Sequence, residues 1–276
     1  MIFNLKLNLV KTQGILTAFL IAFAIPALAG DIGGAESKTF KDLHQRAFQP
    51  GEKLRYRLSY GVFDAGEAVL TVTKSAKLVN GRETWNVKGI GRTISAFEWF
   101  YKVYDRYESY IDAKGVFPWT FIRRVDEGGY KIAQDYSFLQ TQNKVDNGKG
   151  KKFATPDNVQ DMISAFYYAR TIDFTGAKIG DRYKITVFMD DELYPTEIEY
   201  RGKEIIKTRT GKYRCMKFIP VVQEGRVFSK SDALEVWITD DGNKIPIMAR
   251  AQIKVGSVKM HLVEWEGLSN PMARVK

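Results

Sequence analysis

Residues able to carry chemistry are scarce in this chain, and their spacing assembles no familiar site. There are two histidines, His44 and His261, and one cysteine, Cys215. A zinc centre draws three or four Cys, His or carboxylate ligands together, so two distant histidines and one thiol supply no ligand set. No Gly-x-Ser-x-Gly elbow, phosphate-binding loop or dinucleotide fingerprint occurs. The acidic runs Asp190-Asp191-Glu192 and Asp240-Asp241 fall where hairpins must turn, a position Asp favours without any metal. No cofactor and no metal are implied. Paired carboxylates of a glycosidase meet in space and leave no spacing signature, so a glycan-acting hydrolase stays open as the weakest of three readings. Cys215 lies in "KYRCMKFI", in phase with Tyr213 and Ile219, and is expected to be a buried, unreactive thiol.

What the chain offers instead is apolar and aromatic surface. In "FYKVYDRYESYI" aromatics occupy both phases of a strand, Tyr101 and Tyr107 against Tyr104 and Tyr110. Such a strand meets apolar material on both faces or lines a cavity on one. The segment "TPDNVQDMISAFYYARTI" reads as an amphipathic helix over 156–171, with Thr155 as N-cap and Pro156 at the first helical position. Val159, Met162, Ile163, Phe166 and Tyr167 form its apolar face, with Asp161 and Ser164 expected to point away. The helix is either core filling a concave sheet or a cover over an apolar cavity. The candidate ligand-binding residues are Tyr101, Tyr104, Tyr107, Met162, Phe166 and Tyr167.

The elements that must position them read mainly as strands. Leu54, Tyr56, Leu58, Tyr60 and Val62 alternate with charged or polar residues, as do Tyr183, Ile185, Val187 and Met189, and then Ile247, Ala249, Ala251, Ile253 and Val255. Period two with β-branched and aromatic residues specifies half-buried strands. Turn signals such as "VNGRE", "DEGG" and "TDDGN" separate roughly twelve of them, which predicts a large antiparallel sheet that curls or closes into an open barrel. One phrase is written twice: "YIDAKGVFPWTFIRR" from Tyr110 and "WITDDGNKIPIMARA" from Trp237. "GEKLRYRLSY" and "GDRYKITVFM" precede the two copies at similar distances. Two similar half-sheets, about 51–150 and 180–268, with the helix between them, account for both correspondences.

Lys6 and Lys11, an apolar run over Gly14–Ile25, Pro26 and the small residues Ala27–Ala29 form the pattern of a secretory signal cleaved after Ala29. The run is shorter than the ~20 apolar residues a membrane-spanning helix needs, and no lipoprotein cysteine follows it. The expected organisation is a signal over 1–29, a flexible polar leader over 30–49, one β-rich domain over 50–268 and a tail over 269–276. The formal charge of +10 falls to +8 without the signal, 40 basic residues against 32 acidic. For a periplasmic protein that charge suits anionic lipid or glycan of the envelope rather than nucleic acid. A monomer is expected, soluble after cleavage.

"PGEKLRYRLSYGVFDAGEAVLTV", "FYKVYDRYESYID" and "VQDMISAFYYAR" together resemble the bacterial exported family DUF3108, a domain of unknown function, over about residues 50–268. The resemblance implies a cell-envelope location and a curved antiparallel sheet with a helix, broadly like lipoprotein carriers. It transfers no catalytic residue. The first reading is therefore a non-enzymatic periplasmic protein that binds or carries an apolar group, such as a lipid or lipoprotein acyl chain. The second is a structural envelope factor that binds other proteins through sheet edges.

Overall fold

The computed structural model describes residues 39–94, 98–99, 101–221, 234–252 and 257–276. The signal segment and the strand positions Ile253 and Val255 lie outside them. The first six strands are β1 (Lys53–Tyr60), β2 (Phe63–Val79), β3 (Arg82–Thr93), β4 (Tyr104–Asp112), β5 (Pro118–Glu127) and β6 (Tyr130–Leu139). Two short strands follow, β7 (Lys144–Asp146) and β8 (Lys152–Ala154), then one helix, α1 (Met162–Ala169). The second series is β9 (Arg182–Met189), β10 (Glu192–Thr208), β11 (Gly211–Val221), β12 (Leu234–Thr239), β13 (Pro246–Gln252) and β14 (Ser257–Glu266), with β15 (Arg274–Val275) at the end.

All of the strands join one antiparallel sheet in the order β8-β7-β6-β5-β4-β3-β2-β1-β14-β13-β12-β11-β10-β9, with β15 added to β11. The duplicated phrase thus corresponds to two six-strand meanders joined where β1 pairs β14. Their strands match in order: eight residues in β1 and β9, seventeen in β2 and β10, ten in β6 and β14. Twelve long strands agree in number with the roughly twelve that alternation and turn signals predict. Alternation also predicts their inner faces, since Leu54, Tyr56, Leu58, Ile185, Val187, Ala249 and Ala251 are all buried. Val62 departs from the pattern and is 85% exposed, because it sits at the tip of the β1–β2 turn.

The hydrogen-bonded path does not close, but its ends meet. Gln160 forms a parallel bridge to Val187 on the outer strand β9, taking the N–H of Phe188 and giving its own N–H to Thr186. The β9–β10 turn is completed by Asp190 and Asp191, both left-handed at φ 50° and 62°. A two-residue turn of that hand favours Asn-Gly, and Asp tolerates it at a cost. The carboxylates hold the far end of the sheet. Asp190 Oδ1 accepts from Arg123 Nη1 and Gln134 Nε2, each at 2.9 Å, and Asp191 accepts from Tyr136 Oη at 3.0 Å and Asn147 Nδ2 at 2.9 Å. Those donors belong to β5, β6 and the β7–β8 turn, so side chains clasp what the backbone leaves open. These two acidic residues therefore serve the fold's closure.

Helix α1 lies within the curl, packed on β9 to one side and on β3 and β4 to the other. Its start differs from the sequence expectation. The N-cap is Asp161, not Thr155: Asp161 Oδ1 accepts from the N–H groups of Ile163 and Ser164, and Ser164 Oγ accepts from Asp161 N–H. Residues 155–160 cannot be helical as well, because Gln160 is engaged with β9. Asp161 and Ser164, expected to point outward, are completely buried, and Ser109 of β4 donates to Asp161 Oδ2 at 2.6 Å. Gly89 on β3 admits the helix, since a Cβ there would stand 3.1 Å from Leu70 and 3.4 Å from Ile163.

Two further expectations are corrected. Over its described part the leader is not free: Phe40 packs on Phe117 and Trp119, and Ala47 and Phe48 are buried. The tail is not free either, for Ala273 is buried and Arg274 and Val275 pair with β11. Cys215 is fully buried as expected, and burial pushes its thiol up to about 12. Among the described residues no helix is long and apolar enough to cross a membrane, which says nothing of strands.

Candidate functional site

Between α1 and the inner face of the second meander lies an apolar cavity of about 120 Å³. Met162, Phe166 and Ala169 form the helix side; Val187, Phe218 and Met260 are among the residues of the sheet side. The strand register orders the wall. Ile238 pairs with Pro246 near one end, Val236 with Phe218 in the middle, and Ile198 with Pro220 at the other. That is four residue steps, about 13 Å at ~3.3 Å per residue. An apolar space of ~150 Å³ accepts a benzene-sized guest, so this one, partly open to solvent, has room for a small apolar group or a short stretch of chain.

The helix side of the cavity is fixed from below. Arg170, which caps α1, is almost wholly buried and makes a bidentate pair with Glu52, Nη1–Oε1 2.6 Å and Nη2–Oε2 2.7 Å. It also donates to the carbonyls of Ala47 and Asn243, each at 2.9 Å. Its guanidinium lies 5.2 Å from the Phe48 ring centre and 5.1 Å from that of Tyr167. A buried charge is tolerated only when paired and hydrogen-bonded, and here both conditions hold. The helix is thereby tied at its N-terminus to β4 through Ser109 and at its C-terminus to the start of β1 through Glu52. Burial raises the Asp161 carboxyl to about 6, against the lowering effect of its hydrogen bonds.

The candidate residues separate in space. Met162 and Phe166 line the cavity. Tyr167 is fully buried on the other flank of the helix, edge-on to Phe48. Tyr101 packs over Gly128, Tyr104 is half exposed, and Tyr107 is core beneath Arg123, 5.9 Å from ring centre to guanidinium. Tyr101 and the β4 residues Tyr104 and Tyr107 therefore serve the first meander, while the cavity belongs to the second. Of its sheet-side residues, the alternation of the sequence marks Ile185, Val187 and Ala249 as inward, and it does not mark Lys244.

A pair of carboxyls does meet in space, Asp105 and Glu127, at 0% and 6% exposure. Burial and the neighbouring Glu127 raise Asp105 to about 8. Asp105 also accepts from Asp126 N–H, and Arg123 is near enough to oppose the rise. A glycosidase pair flanks the sugar bond in an open cleft, and these two groups are enclosed by their own sheet. Among the described residues no group of three or more His, Cys, Asp or Glu could hold a metal ion.

An open, barrel-like antiparallel sheet wrapped round one helix, with an apolar cavity beside it, defines the class. This chain belongs to the family "Protein of unknown function (DUF3108)", whose model matches residues 55–263. Among solved structures, it is similar to a β-barrel-like protein of the domain of unknown function DUF1849 from Brucella abortus. That likeness has 13% identity, covers 79% of this chain and 98% of that one, and has a TM-score of 0.52. A hypothetical protein from Chlamydia trachomatis is matched at 9% identity over 86% of this chain and 98% of that one, with a TM-score of 0.38. The first likeness concerns the fold alone. No curated protein matches the chain.

Proposed function

We propose that this protein is a non-enzymatic binding protein of the cell envelope that holds an apolar group between α1 and the second meander. The observation that carries the reading is the cavity itself, whose lining from Met162 and Phe166 across to Phe218 and Met260 is apolar apart from Arg170 and Lys244. A helix that only filled a concave sheet would leave no such space, because protein interiors pack to crystal-like density. Envelope location rests on the signal pattern at the N-terminus. Edge-mediated protein binding draws less support: β8 is three residues long, and the outer side of β9 is met by Gln160. Short or covered edges are how sheets avoid such pairing.

The test is extraction of the natively purified protein with organic solvent, followed by mass spectrometry and titration of the emptied protein with a neutral apolar dye. An apolar compound released in proportion to protein, or saturable dye binding at one site, is the expected result. Neither of these, together with turnover of an envelope glycan, would replace the binding reading with the enzymatic one.

A further inference from the structure

The cavity has a chemical polarity along its length. At the Pro246 end stand its two cations, Arg170 and Lys244, while the wall toward Pro220 is apolar throughout. Arg170 is neutralised by Glu52. Lys244 is not neutralised in that way. Its ammonium donates to the carbonyl of Arg170 at 3.3 Å, and no carboxylate of the described residues forms an ion pair with it. Asp173 and Asp241 are the nearest acids and act only at a distance. Asp241 is also committed locally, accepting from the N–H groups of Asn243, Lys244 and Ala273.

An ammonium has three donors, so a single carbonyl leaves two to place. Burial disfavours the charge and lowers the Lys244 pKa, which a counter-ion would reverse. The backbone adds a second sign, since Lys244 is left-handed at φ 49°. Gly or Asn adopts that conformation at least cost, and a lysine held there is a local strain of the kind found at ligand sites. Capping the C-terminal carbonyls of α1 accounts for one donor, and the turn held by Asp241 places the partly buried Lys244 at the mouth of the cavity.

We infer that the ligand is an amphiphile with an anionic head, bound with its head at Lys244 and its apolar tail running toward Pro220. The inference rests on the cavity being the binding site, and it adds the ligand's charge and direction. About 13 Å of apolar wall, by the strand rise, suits a medium-length chain rather than a complete membrane lipid.

The experiment is calorimetric titration of the full chain, after organic extraction, with octanoate and with methyl octanoate. Wild type is expected to prefer the carboxylate by at least ~10-fold, about 1.4 kcal/mol. Lys244→Gln should abolish the preference for the carboxylate over the ester, and Lys244→Arg, which keeps the charge, should retain it. Melting curves of both variants monitor the fold, and the wild-type comparison stands even if Lys244→Gln does not fold. Equal binding of acid and ester by wild type would overturn the head-group inference and leave the cavity reading intact. Binding of neither would overturn both.

Discussion

Replacing Phe166 with Ala distinguishes a helix that covers a cavity from one that is simply core. In a packed interior a Phe→Ala change costs ~3–5 kcal/mol, through lost transfer energy and the void left behind. Phe188 is the internal reference: it is 1% exposed, with the rings of Tyr136, Phe138 and Phe153 around it at centroid distances of 5.3, 6.4 and 5.3 Å. Phe188→Ala should show the full cost. Phe166 meets the Tyr167 ring at 5.2 Å on one side and borders the cavity on the other. Phe166 is only partly buried, so Phe166→Ala should cost less, ~1.5–2.5 kcal/mol. Urea unfolding of both variants gives the energies, and a neutral apolar dye gives the site. Phe166→Ala should change dye affinity at least ~5-fold, about 1 kcal/mol, and Phe188→Ala by less than ~2-fold. If Phe166→Ala is as costly as Phe188→Ala and dye affinity does not change, the helix is core and the cavity argument is refuted.

Asp190→Asn keeps the left-handed turn but removes the carboxylate paired with the buried Arg123 guanidinium; because Asp190 is partly exposed, a loss of ~1–3 kcal/mol in urea unfolding is expected. A loss under ~0.5 kcal/mol would mean that the clasp does not hold the sheet ends together. Asp105 should make stability depend on pH. Its folded pKa, about 8, lies above the ordinary 3.8, so the native state binds the extra proton in between and stability falls as pH rises across that window. Asp161, raised to about 6, acts in the same direction over a narrower range. Asp105→Asn should flatten the decline between pH 5 and pH 8, and an unchanged slope would assign it to other groups. Cys215 should resist a bulky maleimide in the native protein and label fully in denaturant; rapid native labelling would contradict its burial.

Much of the fold can be read locally. Period-two alternation marks β1, β9 and β13 with most of their inner faces and gives a strand count of roughly twelve, because a side chain's face on a strand depends only on parity. The correspondence of the two halves is legible through a repeated phrase and landmark glycines at similar offsets, while the matched strand lengths are seen only in the structure. The apolar face of α1 follows from its 3.6-residue period, and the burial of Cys215 from its phase. Parity and period, however, say which residues leave water and not what they meet. The true start of α1 depends on Gln160 bonding to β9 and on Ser109 bonding to Asp161, contacts that the linear pattern does not contain. The clasp joins Asp190 to Arg123 across 67 residues. Only the way the helix and sheet pack together separates Met162 and Phe166, which line a cavity, from Tyr107 and Tyr167, which are packed. A lysine that lines that cavity without an ion pair among the described residues looks, in sequence, like any other residue of a polar turn. Long-range packing sets the distance between helix and sheet, and that distance decides whether an apolar face is filled by protein or left for a guest.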